Sequence, residues 1–199
     1  MIKRPCGGKN PEESGTMSEK NLAFIGARGA GKSRISRKLG KLTGRTVLST
    51  DTLISYEANG ESIPSLVKRE GWASFREREY NILKKVSLMN GIIIDCGGGI
   101  LIEAPRENDP EQKETLSQRK IDILKSSATV IYVKRDIDWL IKKVAGDPSR
   151  PDLSDDYRAL LLRRLPWYED AADVILDMLE LQTDQVLDML IERFELKLS

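Results

Sequence analysis

Apolar residues along this chain fall into two alternating patterns. Short, mostly apolar runs occur at Leu22–Ile25, Thr46–Ser49, Ile92–Asp95, Val130–Val133 and Val174–Leu176. Runs of this kind suit parallel strands buried on both faces. Between them the apolar positions recur at helical spacing. Ile35, Leu39 and Leu42 precede Gly44, which predicts a helix closed by a glycine C-cap. Trp72, Phe75, Ile82, Leu83 and Val86 mark a long helix, and Ile137, Leu140, Ile141 and Val144 mark another. Thr183 and Asp184 open a terminal helix whose inner face carries Val186, Leu187, Leu190, Ile191 and Phe194. Strands alternating with helices make βαβ units, so the expected fold is α/β, a parallel sheet with helices on both faces. Residues 1–20 break the pattern, being rich in Gly, Pro, Ser, Lys and Glu with almost no apolar content. They predict a disordered extension, with Met17 as a candidate start, ahead of one domain over 21–199.

Composition narrows the chemistry. The chain has 199 residues, enough for one α/β domain, and no apolar run approaches the roughly 18–20 residues of a membrane span. Lys+Arg is 32 and Asp+Glu 31, a net charge of +1 that gives no overall pull toward nucleic acid or membrane. Histidine is absent, which excludes a Ser–His–Asp triad, an HExxH zinc site and imidazole acid–base chemistry. The two cysteines, Cys6 and Cys96, are too few for a disulfide framework and fit a cytoplasmic location. The N-terminus has positive charge but no apolar segment of the secretory kind.

One motif carries most of the functional signal. Gly26-Ala27-Arg28-Gly29-Ala30-Gly31-Lys32-Ser33 matches GxxxxGK[ST] at every fixed position, after a predicted strand and before a predicted helix. Glycines let consecutive N–H groups curl around an anion, and the helix N-terminus adds its dipole. Lys32 reaches the β and γ phosphates of a nucleoside triphosphate, and Ser33 offers a hydroxyl to Mg²⁺. Other residues stand where the acceptor of the phosphate would bind. Ser49-Thr50-Asp51 ends the second strand, at the sheet edge where ligands collect. Asp51 is a candidate to hold or deprotonate an acceptor hydroxyl; it is also a candidate N-cap for a helix from Thr52 onward. Gly97-Gly98-Gly99 follows the third strand and permits close backbone approach to a ligand. Arg76 and Arg164 read either as solvated surface charges or, if they converge, as a clamp for a carboxylate.

Taken in order, GARGAGKS, the Asp51 strand end, Phe75-Arg76, the triple glycine, Arg150-Pro151 and Arg164-x-Pro-x-Tyr168 resemble the shikimate kinase family over residues 20–197. The resemblance implies a nucleoside-monophosphate-kinase-like fold, a five-stranded parallel sheet with a mobile lid at about Ala145–Asp156. It implies transfer of the ATP γ-phosphate to the 3-hydroxyl of shikimate, in aromatic amino-acid biosynthesis. Gly29, Ala30, Gly31, Lys32, Ser33 and Arg34 would bind ATP, Lys143 would stack on adenine, and Arg150 would close over the phosphates. Asp51 would bind the acceptor hydroxyls, Arg76 and Arg164 the carboxylate, and Gly97, Gly98 and Gly99 would line the same pocket. The resemblance implies Mg²⁺ as cofactor with Ser33 as its ligand, ATP and shikimate as partners, and a monomer. Two other readings stay open: a similar kinase for another hydroxy acid such as gluconate, and a non-catalytic nucleotide-binding regulator.

The chain also departs from the pattern it resembles. That family commonly has Asp-x-Asp at the second strand, where this chain has Ser49. Cys96 replaces a common threonine, which would bring its thiol close to the phosphates unless it is buried and inert. Arg34 stands where threonine is usual, and the 103–117 stretch is longer and more charged, as expected of a solvated insertion. Asp95 ends an apolar strand in the manner of a Walker-B aspartate and is a candidate replacement for the missing carboxylate. Counted from Cys96, however, strand alternation turns Asp95 to the opposite face, and a structural Asp95 is the preferred expectation.

Overall fold

The computed structural model describes residues 20–105, 114–144 and 157–199. The 1–20 extension, apart from Lys20, and the lid segment 145–156 with Arg150 lie outside the described residues, as do Cys6 and 106–113 of the insertion. In chain order the elements are β1 (Asn21–Ile25), α1 (Lys32–Thr43), β2 (Val47–Ser49), α2 (Thr50–Glu57), α3 (Ile63–Val86), β3 (Ile93–Asp95), β4 (Ile102–Glu103), β5 (Thr115–Leu116), α4 (Gln118–Ser127), β6 (Ala128–Lys134), α5 (Ile137–Val144), α6 (Tyr157–Ala171), β7 (Val174–Asp177) and α7 (Thr183–Arg193).

Five strands form one all-parallel sheet in the order β2-β3-β1-β6-β7, as expected, and all five predicted strands are in it. All five residues of β1 are buried, the consequence of a central position with helices on both faces. The sheet is pinned at its start by Asn21, whose amide donates to Met89 O (2.7 Å) and accepts from Ile92 N (3.0 Å). Its opposite, carboxyl edge brings Phe24, Asp95 and Ser49 level with one another, because Phe24 pairs with Asp95 and Asp95 with Ser49. The phosphate loop, Asp51 and the triple glycine follow strands that end at that edge.

The helices differ more from expectation. Gly44 closes α1 in the left-handed conformation (φ 67°), as its sequence implies. The long helix starts at Ile63 rather than near Trp72, with a break at Gly71, whose φ of 79° lies where a side chain would be strained. The ends of the 103–117 insertion are not a solvated surface: β4 and β5 pair as a short antiparallel ribbon, and Ser117 is buried. No sequence expectation covered α4 or α6. Near-continuous leucines, arginines and an internal Pro166 blur the period of α6.

Candidate active site

The phosphate loop begins where β1 ends. Gly26 turns so closely past β6 that a methyl group there would stand 2.8 Å from Val133 O. Gly31, at φ 105°, is the N-cap of α1 and has no side chain to occupy the first N–H groups of that helix. Lys32 is buried, and its ammonium donates to the carbonyls of Gly26 (2.9 Å) and Ala27 (3.0 Å), curling back over the loop. Arg34 and Lys143 line the same cleft, and Lys143 packs beside Gly29, whose added methyl would lie 3.5 Å from Lys143 Cγ.

The cleft, about 860 Å³, continues from this loop into a second pocket that holds Asp51, Arg76, Arg164 and the triple glycine. Each of these glycines meets a different part of the site. A Cβ on Gly97 would collide with the Asp51 carboxylate, one on Gly98 would stand 3.1 Å from Arg28 N, and one on Gly99 would lie 2.6 Å from Arg76 Nη2. Only glycine lets phosphate loop, acid and arginine close on one strand end. Thr50 holds the turn by accepting from Gly97 N at 2.8 Å.

Asp51 is not the helix cap. Ser49 is: its hydroxyl accepts from Thr52 N at 3.4 Å, and Asp51 sits in the first turn of α2 facing the glycines. Burial raises the Asp51 pKa to about 6, with Glu79 and Asp95 adding to the rise and Lys32 and Arg76 opposing it. A carboxylate with a pKa so near neutrality is suited to accept a proton.

The two arginines are not surface charges. Arg76 and Arg164 are each only 4% exposed, on α3 and α6, and both face the pocket. Arg76 Nη1 donates to both oxygens of Glu79 at 2.9 Å, and its guanidinium lies 4.9 Å from the Trp72 ring centroid. Lys120 of α4, fully buried, donates to Glu79 Oε2 (3.0 Å) and to Ile102 O (2.8 Å), completing an Arg–Glu–Lys chain. Arg164 Nε donates to Glu114 Oε2 at 2.9 Å, and its Nη2 donates to Glu114 Oε1. Burial disfavours the charge on Glu114, but the bonds and charge of Arg164 outweigh this and hold its pKa below the ordinary value. Tyr168 stacks on Tyr132 (centroids 5.5 Å apart) and donates its hydroxyl to Gly98 O.

Asp95 corrects the expectation made from alternation. It shares a face of β3 with Ile93, and Ile93 packs against α1 near Gly40, so the carboxylate points to the start of α1. There it lies within hydrogen-bonding reach of the Ser33 hydroxyl. Counting from Cys96 misled because β3 ends at Asp95 and Cys96 lies one residue past it. Cys96 is buried in the wall of the cleft, and burial first, then the charge of Asp95, pushes its thiol far up, which favours the thiol over the thiolate.

Glu79, Lys120 and Glu114 were missed from the sequence. Glu79 follows Arg76 by three residues on a helix, a pairing that spacing could have revealed. Lys120 and Glu114 carry no local signal, since only the fold brings them to the pocket.

A phosphate loop and an acid-and-arginine pocket that open into one cleft make this an ATP-dependent small-molecule kinase. Comparison with known proteins identifies which. The family model described as shikimate kinase matches residues 28–195, and the chain belongs to the shikimate kinase family. The shikimate kinase of Leptospira biflexa serovar Patoc is 44% identical over 179 residues, covering 89% of this chain and 97% of that protein. That of Leptospira borgpetersenii serovar Hardjo-bovis is 44% identical over 180 residues, covering 88% and 98%. Among solved structures, a shikimate kinase from Acinetobacter baumannii in complex with shikimate superposes with a TM-score of 0.71 at 23% identity, covering 88% of this chain and 93% of that one. These matches set aside the gluconate and regulator readings. Among the described residues no helix is long and apolar enough to cross a membrane.

Proposed function

We propose that this chain transfers the γ-phosphoryl group of ATP to the 3-hydroxyl of shikimate, with the site residues named above in the following roles. The observation that carries the reading is that the phosphate loop, Asp51 and both buried arginines open into one cleft. The Gly29–Ser33 backbone cradles the phosphates, and Lys32 leaves its loop carbonyls to neutralise charge on the transferred group. Arg34 and Lys143 flank the base, and Arg150 adds its charge over the phosphates. Arg76 and Arg164 grip the shikimate carboxylate, so the ring is fixed with a hydroxyl toward Asp51. Asp51 orients that hydroxyl and accepts its proton at Oδ as the new O–P bond forms and the bond from the γ-phosphorus to the bridging oxygen breaks, releasing ADP. Gly97, Gly98 and Gly99 wall the ring.

Mg²⁺ fits beside Ser33: a hydroxyl with a buried carboxylate next to it is the hard oxygen donor set such a cation takes. When bound, the cation supplies charge neutralisation of the phosphate oxygens. In this reading residues 21–199 form the catalytic unit, and that unit acts as a monomer. The free, buried Cys96 thiol suits a cytoplasmic setting.

A coupled ADP-release assay over a panel of hydroxy acids tests the reading. The expected result is turnover with shikimate and none with gluconate. Turnover with gluconate, or ATP binding without turnover on any acceptor, overturns it.

A further inference from the structure

The phosphate loop divides the cleft into two ends. Asp51, Arg76 and Arg164 stand at the acceptor end, so a nucleotide whose terminal phosphoryl group reaches them carries its base at the other. That other end is walled by Arg34, Arg135, Trp139, Lys143, Met178 and Thr183. Among the described residues Trp139 is its one aromatic lining side chain. The remaining aromatics of the cleft wall keep to the acceptor end, Trp72 and Phe75 beside Arg76, Tyr157 and Tyr168 beside Arg164. The Trp139 indole is 37% exposed, a flat apolar surface where the neighbouring side chains are mostly cationic.

Arg135 fixes that indole in place. Its guanidinium carbon lies over the Trp139 ring, 4.5 Å from the centroid. The same group donates through Nη1 to Met178 O (2.9 Å) and through Nε to Ala30 O (3.3 Å), so it is pinned to the turn after β7 and to the phosphate loop. Asp136 sets the backbone: its carboxylate accepts from Trp139 N at 3.0 Å at the start of α5. A cation covers one face of the indole and leaves the other for a second flat ring. Lys143, one turn further along α5, supplies no such face, because its ammonium is a compact point charge on a flexible stem. Every nucleobase has a π-face, and an immobilised aromatic ring is the platform that takes it.

We propose that Trp139 is the platform on which the base of the bound nucleotide stacks, and that Arg135 is a positioning residue that holds the indole and ties it to the phosphate loop. The proposal rests on the reading that this loop binds a nucleotide. It adds to that reading the side chain that grips the base, and it leaves Lys143 the role of a flanking charge.

Calorimetric titration of the full chain with two probes tests this: ADP, which carries a base, and inorganic tripolyphosphate, which does not. Trp139→Ala is expected to weaken ADP binding by about five- to a hundredfold, the range found when a stacking aromatic is removed, and to leave tripolyphosphate binding unchanged. Trp139→Phe should restore most of the ADP affinity. Trp139→Leu, which keeps apolar bulk without a flat ring, should not. The loss should appear in KM for ATP and not in KM for shikimate. ADP should also quench tryptophan emission in wild type, whereas in Trp139→Phe, with Trp72 and Trp167 still present, most of that quenching should be gone. Arg135→Lys should weaken ADP binding in wild type and add little in Trp139→Ala, because the arginine acts through the indole. Fully additive losses would strike Arg135 from the proposal. Wild-type ADP affinity in Trp139→Ala overturns it, as does ADP affinity in Trp139→Leu equal to that in Trp139→Phe, or an equal loss of ADP and tripolyphosphate, which would make Trp139 a prop of the loop. If wild-type protein binds neither probe, the phosphate-loop reading itself falls. Wild type and Trp139→Ala binding ADP alike removes Trp139 alone.

Discussion

Glu114 meets Arg164 fork to fork: one guanidinium edge donates through Nε and Nη2 to the two oxygens of one carboxylate. This is the geometry in which arginine takes a planar carboxylate ligand. Glu114 therefore occupies, from within the chain, the partner that Arg164 would offer to shikimate. Substrate must displace it, so removing its charge should make shikimate bind more tightly. Glu114→Gln is expected to lower KM for shikimate by roughly tenfold, the equivalent of one charge-assisted hydrogen bond no longer competing. KM for ATP should not move. A shikimate KM that stays level or rises would show that the two carboxylates do not compete.

That contact also shows where sequence reading stops. The phosphate loop was legible because its function depends on residues adjacent in sequence, and glycine, lysine and serine at fixed spacing allow little else. The parallel sheet was legible because its strands are buried on both faces and read as apolar runs. The acceptor pocket, in contrast, is assembled from α2, α3, β3, α4 and α6, and its partnerships span large separations. Nothing near Glu114 announces Arg164, and nothing near Lys120 announces Glu79. Asp95 failed for a narrower reason: a one-residue error in where β3 ends reverses the face of every side chain counted from it.

Arg76→Ala and Arg164→Ala should each raise KM for shikimate by about ten- to a hundredfold, the loss of one charge-assisted pair. ATP affinity should be spared, because neither side chain belongs to the phosphate loop. Arg76→Ala should also destabilise the fold, as it leaves Glu79 buried with one partner fewer. Wild-type shikimate KM in both variants would remove the carboxylate clamp.

Lys32→Ala should abolish phosphoryl transfer with the fold intact, since the loop carbonyls of Gly26 and Ala27 to which the ammonium donates can be left to water. Loss of one preorganised charge on a transferring group costs on the order of a hundredfold or more in kcat. Near-normal kcat would remove Lys32 from the reaction.

Lys120→Met tests the brace behind Arg76. Removing Lys120 takes away one of the two cations on the buried Glu79 but leaves Arg76 on it, so the cost should fall below the level of about 3–5 kcal/mol for a buried charge left wholly uncompensated. The variant should therefore melt earlier than wild type and show a raised KM for shikimate, as Glu79 keeps Arg76 but loses the ammonium that ties it to Ile102 O. Adding Glu79→Gln should lower stability further, since the buried Arg76 guanidinium then loses the carboxylate to which it donates. Shikimate KM at the wild-type value in Lys120→Met would confine Lys120 to folding.

Asp51 links activity to stability through pH. Its pKa is about 6 in the folded chain, raised mainly by burial from an ordinary value of 3.8. The folded state therefore holds this proton more tightly than the unfolded state. Stability contributed by the neutral acid is fully present below about pH 4 and is lost as pH rises through 6, reaching a plateau cost of ~3 kcal/mol above it. Asparagine resembles the protonated acid and escapes that loss. Asp51→Asn should match wild type in thermal stability near pH 4 and exceed it at pH 8, while losing nearly all turnover. In wild type, kcat/KM should fall below an inflection near pH 6 as the base becomes protonated. The two curves must agree: the inflection in kcat/KM and the pH at which the stability difference between wild type and Asp51→Asn levels off report the same carboxyl group. A kcat/KM profile flat from pH 5 to 8, or an Asp51→Asn variant no more stable than wild type at pH 8, would show that Asp51 is not the group that titrates in the site.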